Sequence, residues 1–245
     1  MMYHIETACD QGVVRSNNED AICYDHNKKV DVLWMLIADG VGGHKAGEVA
    51  SEYLINYFDH AFSQLTQSPE QGWLPWIEEH FTLVNEGIFK QSQAESSHQG
   101  MSTTGVLLVI DSKQCYLGWV GDSRAYSLSE SVLKQQTKDH TMIQYLLDKG
   151  AITAEEAQKS NTKNLLAKAI GTKETIEVDV LSFGVKVGDT LLLSTDGLHD
   201  YLTTEQLALF MKNSNTTQSV CSDMIAQSIN QSSKDNITVG IIKIY

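Results

Sequence analysis

A run of apolar residues that ends abruptly in an aspartate is the feature that most constrains the fold of this chain. Leu33 to Ala38 are six uncharged, mostly large apolar residues in a row, which predicts a strand buried on both faces. Asp39 follows directly, and three glycines lie within the next four positions. A charged group at the end of a core strand is costly unless something pairs with it, and glycine lets backbone approach closely. The alternative is a tight hairpin, because Asp-Gly is a common two-residue turn.

Two later stretches repeat this design. The apolar residues from Leu191 lead to Asp196, and those from Tyr116 lead to Asp122. If the ends of these three strands converge, their carboxylates repel one another and cannot all stay ionised without a cation. The cysteines and histidines show no matching ligand spacing, so oxygen ligands favour a hard ion, Mg²⁺ or Mn²⁺, over zinc.

Composition excludes several classes of protein. A chain of 245 residues can bury one large core, and we expect a single domain over residues 1–245. A net charge of −13 argues against a nucleic-acid partner. The chain has no apolar run of membrane-spanning length, and its four cysteines form no disulfide framework. We therefore expect a cytoplasmic protein with no membrane contact.

The order of predicted elements favours antiparallel sheets flanked by helices. Amphipathic helices are predicted over Glu48–Leu65 and Trp73–Gln93, and their aromatic residues are interpreted as core packing. One strand is predicted from Thr103 to Ile110, followed by further short strands, small helices and a last strand over Ile237–Ile244. This order is not a regular βαβ alternation, which disfavours a Rossmann-type parallel sheet.

Five motifs in register carry a resemblance to a known family. They are Arg15 to Asp20, Asp39 to Glu48, Gly121 to Arg124, Ser194 to Gly197 and Lys234 to Asn236. In this order they resemble the metal-dependent (PPM, protein phosphatase 2C type) serine/threonine phosphatases in their compact bacterial form. The resemblance implies an α+β fold, a four-layer α/β/β/α sandwich of two antiparallel sheets flanked by helices.

The resemblance also implies a metal centre with two Mn²⁺ or Mg²⁺ ions. Asp39 is similar to the aspartate that bridges both metals, and Gly40 to the residue that supplies a backbone carbonyl. Asp196 and Asp235 are similar to the ligands of the first metal. Asp122 resembles a ligand of a third, weaker metal, shared with Asp196. Asp235 followed by Asn236 has the alternative interpretation of a simple turn.

Two further residues are implied in catalysis. Arg15 resembles the arginine that grips the substrate phosphate, and its planar guanidinium suits phosphate oxygens. Asp20 resembles the aspartate that orients metal-bound water. The alternatives are a surface salt bridge for Arg15 and a turn cap for Asp20. Two divalent ions about 3.5–4 Å apart can bridge a water, lower its pKa and aim the hydroxide at phosphorus.

The expected function is metal-dependent hydrolysis of phosphoserine and phosphothreonine on proteins by a hydroxide that bridges the two ions. The implied partners are phosphorylated proteins, a Hanks-type kinase and its substrates, and we expect a monomer. The alternative is a catalytically silent binding or regulatory module with the same fold. None of the acidic ligands is lost from the sequence, which disfavours that alternative.

The chain departs from many relatives at two positions. Val41 stands where many eukaryotic relatives carry a histidine proposed as the general acid, and valine cannot donate a proton. The candidates for the proton donor are therefore a water on the third metal, His44 and His140. Lys168 stands where relatives often carry arginine. The resemblance further implies a flap over residues 140–173 that contacts protein substrates.

Overall fold

The computed structural model describes residues 1–41, 46–94, 96–112, 114–159, 165–213 and 219–245. Within these ranges the strands are, in chain order, β1 (Tyr3–Asp10), β2 (Asp20–Asn27), β3 (Val32–Val41), β4 (Ser102–Thr103), β5 (Gly105–Asp111), β6 (Gln114–Val120), β7 (Arg124–Ser129), β8 (Val132–Gln135), β9 (Asp179–Gly184), β10 (Thr190–Ser194) and β11 (Ile237–Ile244). The α-helices are α1 (Ala46–Gln64), α2 (Trp73–Ala94), α3 (Met142–Asp148), α4 (Ala154–Lys159), α5 (Asp196–His199), α6 (Thr204–Lys212) and α7 (Val220–Asn230). Ser96–His98 form a short 3₁₀ turn.

These strands form two antiparallel sheets. Sheet I has the order β1-β11-β10-β7-β8, and sheet II has the order β2-β3-β5-β6-β9, with β4 paired to β3. Every strand pairing is antiparallel. Strands that are neighbours in sequence are mostly neighbours in a sheet, as the short predicted connections require.

The two sheets pack face to face with helices outside, and β3 shows why. Leu33, Met35 and Ile37 point into the core between the sheets, while Trp34 and Leu36 point into the core under α1 and α2. A strand buried on both faces carries large apolar residues at every position. A third core lies between sheet I and helices α5 to α7. The predicted four-layer α/β/β/α sandwich is therefore confirmed.

The aromatic residues of α1 and α2 are core packing, as predicted. Phe58, Phe62 and Phe81 are fully buried. The Trp34 ring stacks on Phe62 with a centroid distance of 4.6 Å and an interplanar angle of 6°. This contact attaches α1 to β3, and an aromatic pair of this kind contributes stability beyond its buried area.

Three local predictions need correction. The predicted strand from Thr103 to Ile110 is interrupted at Thr104, because the Thr104 N–H donates to the Asp39 carbonyl at 2.8 Å instead of to a regular ladder. The alternative of a hairpin at Asp39-Gly40 is wrong, since β3 continues through both residues to Val41. Asp196 begins a short helix, α5, which the sequence did not predict.

No helix among the described residues is long and apolar enough to cross a membrane.

Trp34 gives a test of how the outer core is held. Its ring is buried, and its Nε1–H donates to no residue that the structure describes. Trp34→Ala should destabilise the fold by about 3–5 kcal/mol, because it removes a large buried ring. Trp34→Phe should cost about 1 kcal/mol or less, since relief of a buried unpaired donor, worth about 1–3 kcal/mol, offsets lost packing. Urea unfolding followed by circular dichroism measures the free energy of unfolding of both variants. Equal losses of this free energy in the two variants would contradict the unpaired N–H of Trp34.

Candidate metal centre

Six of the seven predicted site residues line one open cavity of about 630 Å³. They are Arg15, Asp39, Gly40, Asp122, Asp196 and Asp235. The seventh, Asp20, is buried and lies opposite Asp39 in the β2–β3 register. Residues from five separate stretches of the chain thus meet at one edge of the sandwich. We call this cavity the acidic cleft.

Asp39 is held by its backbone. Its N–H donates to Thr104 Oγ1 at 2.9 Å, and its carbonyl accepts from the Thr104 N–H at 2.8 Å and from Thr103 Oγ1 at 3.0 Å. The carboxylate therefore projects from a fixed main chain. Thr104 Oγ1 also lies 2.7 Å from Ser123 Oγ, which ties this anchor to the turn that carries Asp122.

Asp20 links the two sheets. Its Oδ2 accepts a hydrogen bond from Thr195 Oγ1 at 2.8 Å, and Thr195 lies directly before Asp196. Its Oδ1 is buried and accepts no hydrogen bond from any residue in the described ranges. A buried carboxylate oxygen without a donor is expensive, so this atom is suited to a ligand or a bound water.

Two glycines allow the close approaches that form the cleft. A Cβ on Gly40 would lie 2.3 Å from the Gly47 carbonyl oxygen, and one on Gly197 would lie 1.9 Å from the carbonyl oxygen of Asn236. Both distances are too short for any other residue without a backbone shift. The glycines after Asp39 and Asp196 thus permit backbone contact, which is the role predicted for them.

Asn236 positions the loop that contains Arg15. Its amide donates to the carbonyls of Gln11 and Asn17, both at 2.9 Å, and its Oδ1 accepts from the Glu19 N–H at 2.9 Å. Asn236 and Glu19 both belong to motifs of the sequence, but the motifs alone assigned them no role. Glu19 lines the acidic cleft, and burial raises its pKa.

Arg15 forms an ion pair inside the cleft. Its Nη2 donates to Asp235 Oδ2 at 2.7 Å, and 52% of the Arg15 side chain is exposed. Two residues predicted for different roles, phosphate binding and metal binding, therefore contact each other directly. The turn interpretation of Asp235 also has support, because its Oδ1 accepts from the Asn236 N–H at 2.9 Å.

Burial and mutual repulsion dominate the electrostatics. Burial raises the pKa of Asp39 well above its usual range, and the charges of Asp20 and Asp196 raise it further. Burial, followed by the charges of Asp122 and Asp235, does the same to the pKa of Asp196. Burial raises the pKa of Asp20 to about 7 against the opposing hydrogen bond from Thr195, and it raises that of Asp122 to about 7. These carboxylates therefore need a proton or a cation.

The donor set fits a hard divalent ion, although it is not arranged as a closed cage. Carboxylate and carbonyl oxygens are the ligands that Mg²⁺ and Mn²⁺ prefer. Among the described residues, however, no three acidic, histidine or cysteine side chains already form a ligand set for one metal. The ion pair with Arg15 occupies one carboxylate oxygen of Asp235, so a metal ion at that oxygen would have to displace the guanidinium.

The histidines considered as proton donors lie in different situations. His44 is outside the described residues. His140 lines a neighbouring cavity, where its Nδ1 accepts from the Gly121 N–H at 3.1 Å and its Nε2 lies 3.5 Å from Asp179 Oδ1. Burial and then the charge of Lys168 lower the pKa of His140. A third, buried histidine that sequence reasoning missed, His199, lines a cavity of about 330 Å³ shared with Asp122 and Asp196.

Comparison with known proteins identifies the family. The family model described as protein phosphatase 2C matches residues 13–236, and the chain belongs to this family. The resemblance inferred from five motifs is thereby confirmed, together with the enzyme class that it implied.

Individual relatives agree over nearly the full chain. The serine/threonine phosphatase Stp of Listeria monocytogenes is 33% identical over 241 residues, which cover 98% of this chain and 95% of that protein. The solved structure of the Streptococcus agalactiae serine/threonine phosphatase is 28% identical, with a TM-score of 0.93 and full coverage of both chains. The catalytic domain of the phosphatase PstP, solved in complex with two manganese ions, is 29% identical, with a TM-score of 0.83 over 98% of this chain and 97% of that one.

The raised pKa values predict how stability depends on pH when metal is removed. An unfolded aspartate releases its proton near pH 4, whereas Asp20 and Asp122 have folded-state pKa values of about 7. The folded state binds more protons between these limits, so stability falls as pH rises, by up to about 1.4 kcal/mol per pH unit for each group. In excess EDTA, Tm should therefore decrease from about pH 5 to about pH 7.

Matched variants separate this effect from general charge. Asp122→Asn should flatten the decrease in Tm, because the amide does not titrate. Asp25→Asn, which changes an exposed aspartate on β2, should leave the slope unchanged. A Tm that rises over the same pH range in EDTA would contradict the raised pKa values.

Proposed function

We propose that this protein phosphatase 2C enzyme hydrolyses phosphoserine and phosphothreonine in proteins, with two Mn²⁺ ions bound in the acidic cleft. The observation that carries the proposal is the convergence of Asp39, Asp122, Asp196 and Asp235 on one cavity beside an arginine. The names of the relatives, serine/threonine phosphatases, and the two manganese ions in the PstP structure support it.

Asp39, Asp196 and Asp235 hold the metal pair, with the Gly40 carbonyl as a further ligand. When bound, such a pair supplies an activated water nucleophile and Lewis-acid stabilisation of phosphoryl charge. The chain contributes the fixed backbone of Asp39. It also buries the Asp39 carboxylate, which is therefore costly to ionise unless a cation lies beside it. Asp122 lies on the side of the cleft that adjoins the His199 cavity, and it is the proposed ligand of a third, weaker ion. Mg²⁺ is the alternative metal.

Asp20 positions the water for attack. Thr195 fixes one carboxylate oxygen at 2.8 Å and leaves Oδ1 directed to other partners. Burial raises the pKa of Asp20 to about 7 in the absence of metal; bound cations would lower it and keep the carboxylate ionised as a hydrogen-bond acceptor for the water. Asp20 lies opposite Asp39 in the β2–β3 register, which places it beside the proposed metal centre. Its proposed role is to orient the water and not to ligate the metals directly.

Arg15 binds the phosphate of the substrate. The guanidinium fork matches two phosphate oxygens, and half of the side chain is exposed to the cleft. Its present partner, Asp235, is also a proposed metal ligand. If Asp235 held a metal ion, its ion pair with Arg15 would be weakened and the Arg15 guanidinium would be available for phosphate.

The proposal extends to the setting of the enzyme. A flap over residues 140–173 contacts protein substrates, and residues 160–164 of it lie outside the described ranges. The ends of this segment are paired, with Thr141 bridged to Leu166 and the Ala167 N–H bonded to the His140 carbonyl at 2.8 Å. The phosphorylated substrates are a Hanks-type kinase and its targets, and the enzyme acts as a monomer in the cytoplasm. A phosphopeptide assay of the purified protein against that kinase's products tests this assignment.

The metal-ligand roles are tested by replacing single carboxylates. Asp196→Asn and Asp235→Asn should each abolish Mn²⁺-dependent release of phosphate from a phosphothreonine peptide, because a neutral amide is a poorer ligand; the loss should be several kcal/mol in transition-state stabilisation. Calorimetric titration should show weakened Mn²⁺ binding in both. Asp122→Ala should lose only the weakest binding step, and Asp25→Asn is the control.

Two outcomes would contradict this assignment. Retention of more than about a tenth of wild-type activity at saturating Mn²⁺, a change of only about 1.4 kcal/mol, would show that these aspartates are not primary ligands. A wild-type protein that binds Mn²⁺ but releases no phosphate would favour the catalytically silent module.

Arg15→Ala tests phosphate binding separately from metal binding. Because Arg15 pairs with Asp235, its removal should leave Mn²⁺ affinity equal to or tighter than wild type. The KM for the phosphopeptide should rise with a smaller fall in kcat, for a total of about ten- to a hundredfold in kcat/KM, as expected for a lost charge-assisted contact. Arg15→Lys should recover only part of this, since it keeps the charge but not the fork. Collapse of Mn²⁺ affinity in Arg15→Ala would show a structural role instead.

A further inference from the structure

A second cavity of about 730 Å³ adjoins the acidic cleft along one side. The residues that line both cavities are Ala167, Lys168, Ala169, Thr172 and Lys173. We call this set the shared wall. A polypeptide whose phosphorylated residue occupies the cleft has to pass over the shared wall to enter the second cavity.

The charge of the shared wall differs from that of the molecule. Its ionisable side chains are two lysines, in a chain with 31 acidic and 18 basic residues. Lys168 is held by Asp179, with Nζ 3.4 Å from Oδ1. Lys173 is exposed and forms no ion pair with any residue in the described ranges. Its charge is therefore available to a bound molecule.

The backbone under Lys173 is fixed to the core by a buried asparagine of α2. Asn85 is fully buried, and its Nδ2 donates to the carbonyls of Lys173 at 3.0 Å and Glu174 at 3.1 Å. Its Oδ1 accepts from the Gly171 N–H at 2.7 Å. Gly171 has a φ of +91°, and a Cβ there would lie 2.3 Å from Ile88 Cγ2. The turn that presents Lys173 is therefore built into the outer core.

The same turn is connected to the metal ligand Asp39. Ile170 exchanges two backbone hydrogen bonds with Thr103, at 3.0 and 2.9 Å, and Thr103 Oγ1 donates to the Asp39 carbonyl at 3.0 Å. Lys173 thus projects from a base whose position relative to Asp39 is set by hydrogen bonds. A substrate phosphate bound at the metal centre would place its flanking residues at a defined separation from this lysine.

We propose that Lys173 is a specificity-determining residue that selects phosphosites with an acidic side chain next to the phosphorylated residue, on the side that crosses the shared wall. This inference rests on the proposed phosphatase function. Two divalent ions would largely compensate the charge of the cleft carboxylates. On the shared wall, where Lys168 is paired with Asp179, Lys173 is then the cation that a flanking side chain would meet. At short range this attraction outweighs the screened field of distant acidic residues, because the Debye length is about 8 Å at physiological salt.

The test is a set of phosphothreonine peptides that differ in one flanking residue, Asp or Lys. The substitution is moved through about three positions on either side, which spans about 10 Å of extended chain each way. Wild-type enzyme with Mn²⁺ should favour Asp over Lys in kcat/KM by about two- to fivefold at adjacent positions on one side only, the range of an exposed charge pair. The preference should shrink as salt is raised.

Variants assign the preference to one side chain. Lys173→Gln should remove it and Lys173→Glu should invert it. Because each variant is judged by its own Asp-to-Lys ratio, a general loss of activity cancels. Lys29→Glu is the matched control, since Lys29 is exposed in the β2–β3 turn, at the opposite end of these strands from Asp20 and Asp39; it should keep the wild-type ratio.

Equal ratios at every position in the wild type, or a ratio that survives Lys173→Glu, would overturn the inference. A ratio lost only in Lys168→Gln would overturn it as well and assign the effect to the other lysine. These outcomes all require turnover. Failure of the phosphatase proposal is distinct, because then no peptide of the set is hydrolysed with Mn²⁺ at all.

Discussion

The mutual repulsion of buried carboxylates at one edge of the sandwich is the constraint on which the rest of the structure depends. Asp20, Asp39, Asp122 and Asp196 are each removed from most solvent; after burial itself, the charges of the other three raise the pKa of Asp39. Such a cluster is unstable unless cations compensate its charge. The fold holds Asp39 by its backbone, whereas Asp20 is held through one carboxylate oxygen by Thr195. The Thr103 and Thr104 contacts to the Asp39 main chain leave its carboxylate free to bind a cation.

The features that could be predicted from the sequence are those determined by short, contiguous stretches of the chain. An apolar strand that ends in aspartate and glycine appears at Asp39 and again at Asp196, and the glycines proved to be sites of close backbone contact. Burial of β3 on both faces and the aromatic packing of α1 also followed from local patterns. The break at Thr104 did not, because it is imposed by hydrogen bonds to Asp39, more than 60 residues away in the chain.

The features that could not be predicted are contacts between distant polar residues. Asn236 binds the loop around Asn17 over 219 positions, and Arg15 reaches Asp235 over 220. An asparagine or arginine has several possible partners, and nothing local in the sequence selects among them. Asn85 is the same case, since its place in a helical pattern gives no sign that its amide fixes the turn at Gly171. Polar positioning residues of this kind become visible only once the fold brings their partners together.

The ion pair between Arg15 and Asp235 joins the proposed metal centre to the proposed phosphate site. Asp235 Oδ2 accepts from Arg15 at 2.7 Å, and the same oxygen cannot serve a divalent ion at full strength while it does so. In the proposed enzyme, coordination of a metal ion by Asp235 would weaken this ion pair, and the Arg15 guanidinium would then be free to bind phosphate. By thermodynamic linkage the reverse holds, so bound phosphate that draws Arg15 away makes Asp235 a better ligand. Substrate and metal then favour each other's binding through one carboxylate. Arg15 thus neutralises part of the acidic cleft in the metal-free protein, and in the proposed metal-bound enzyme it would bind the substrate phosphate.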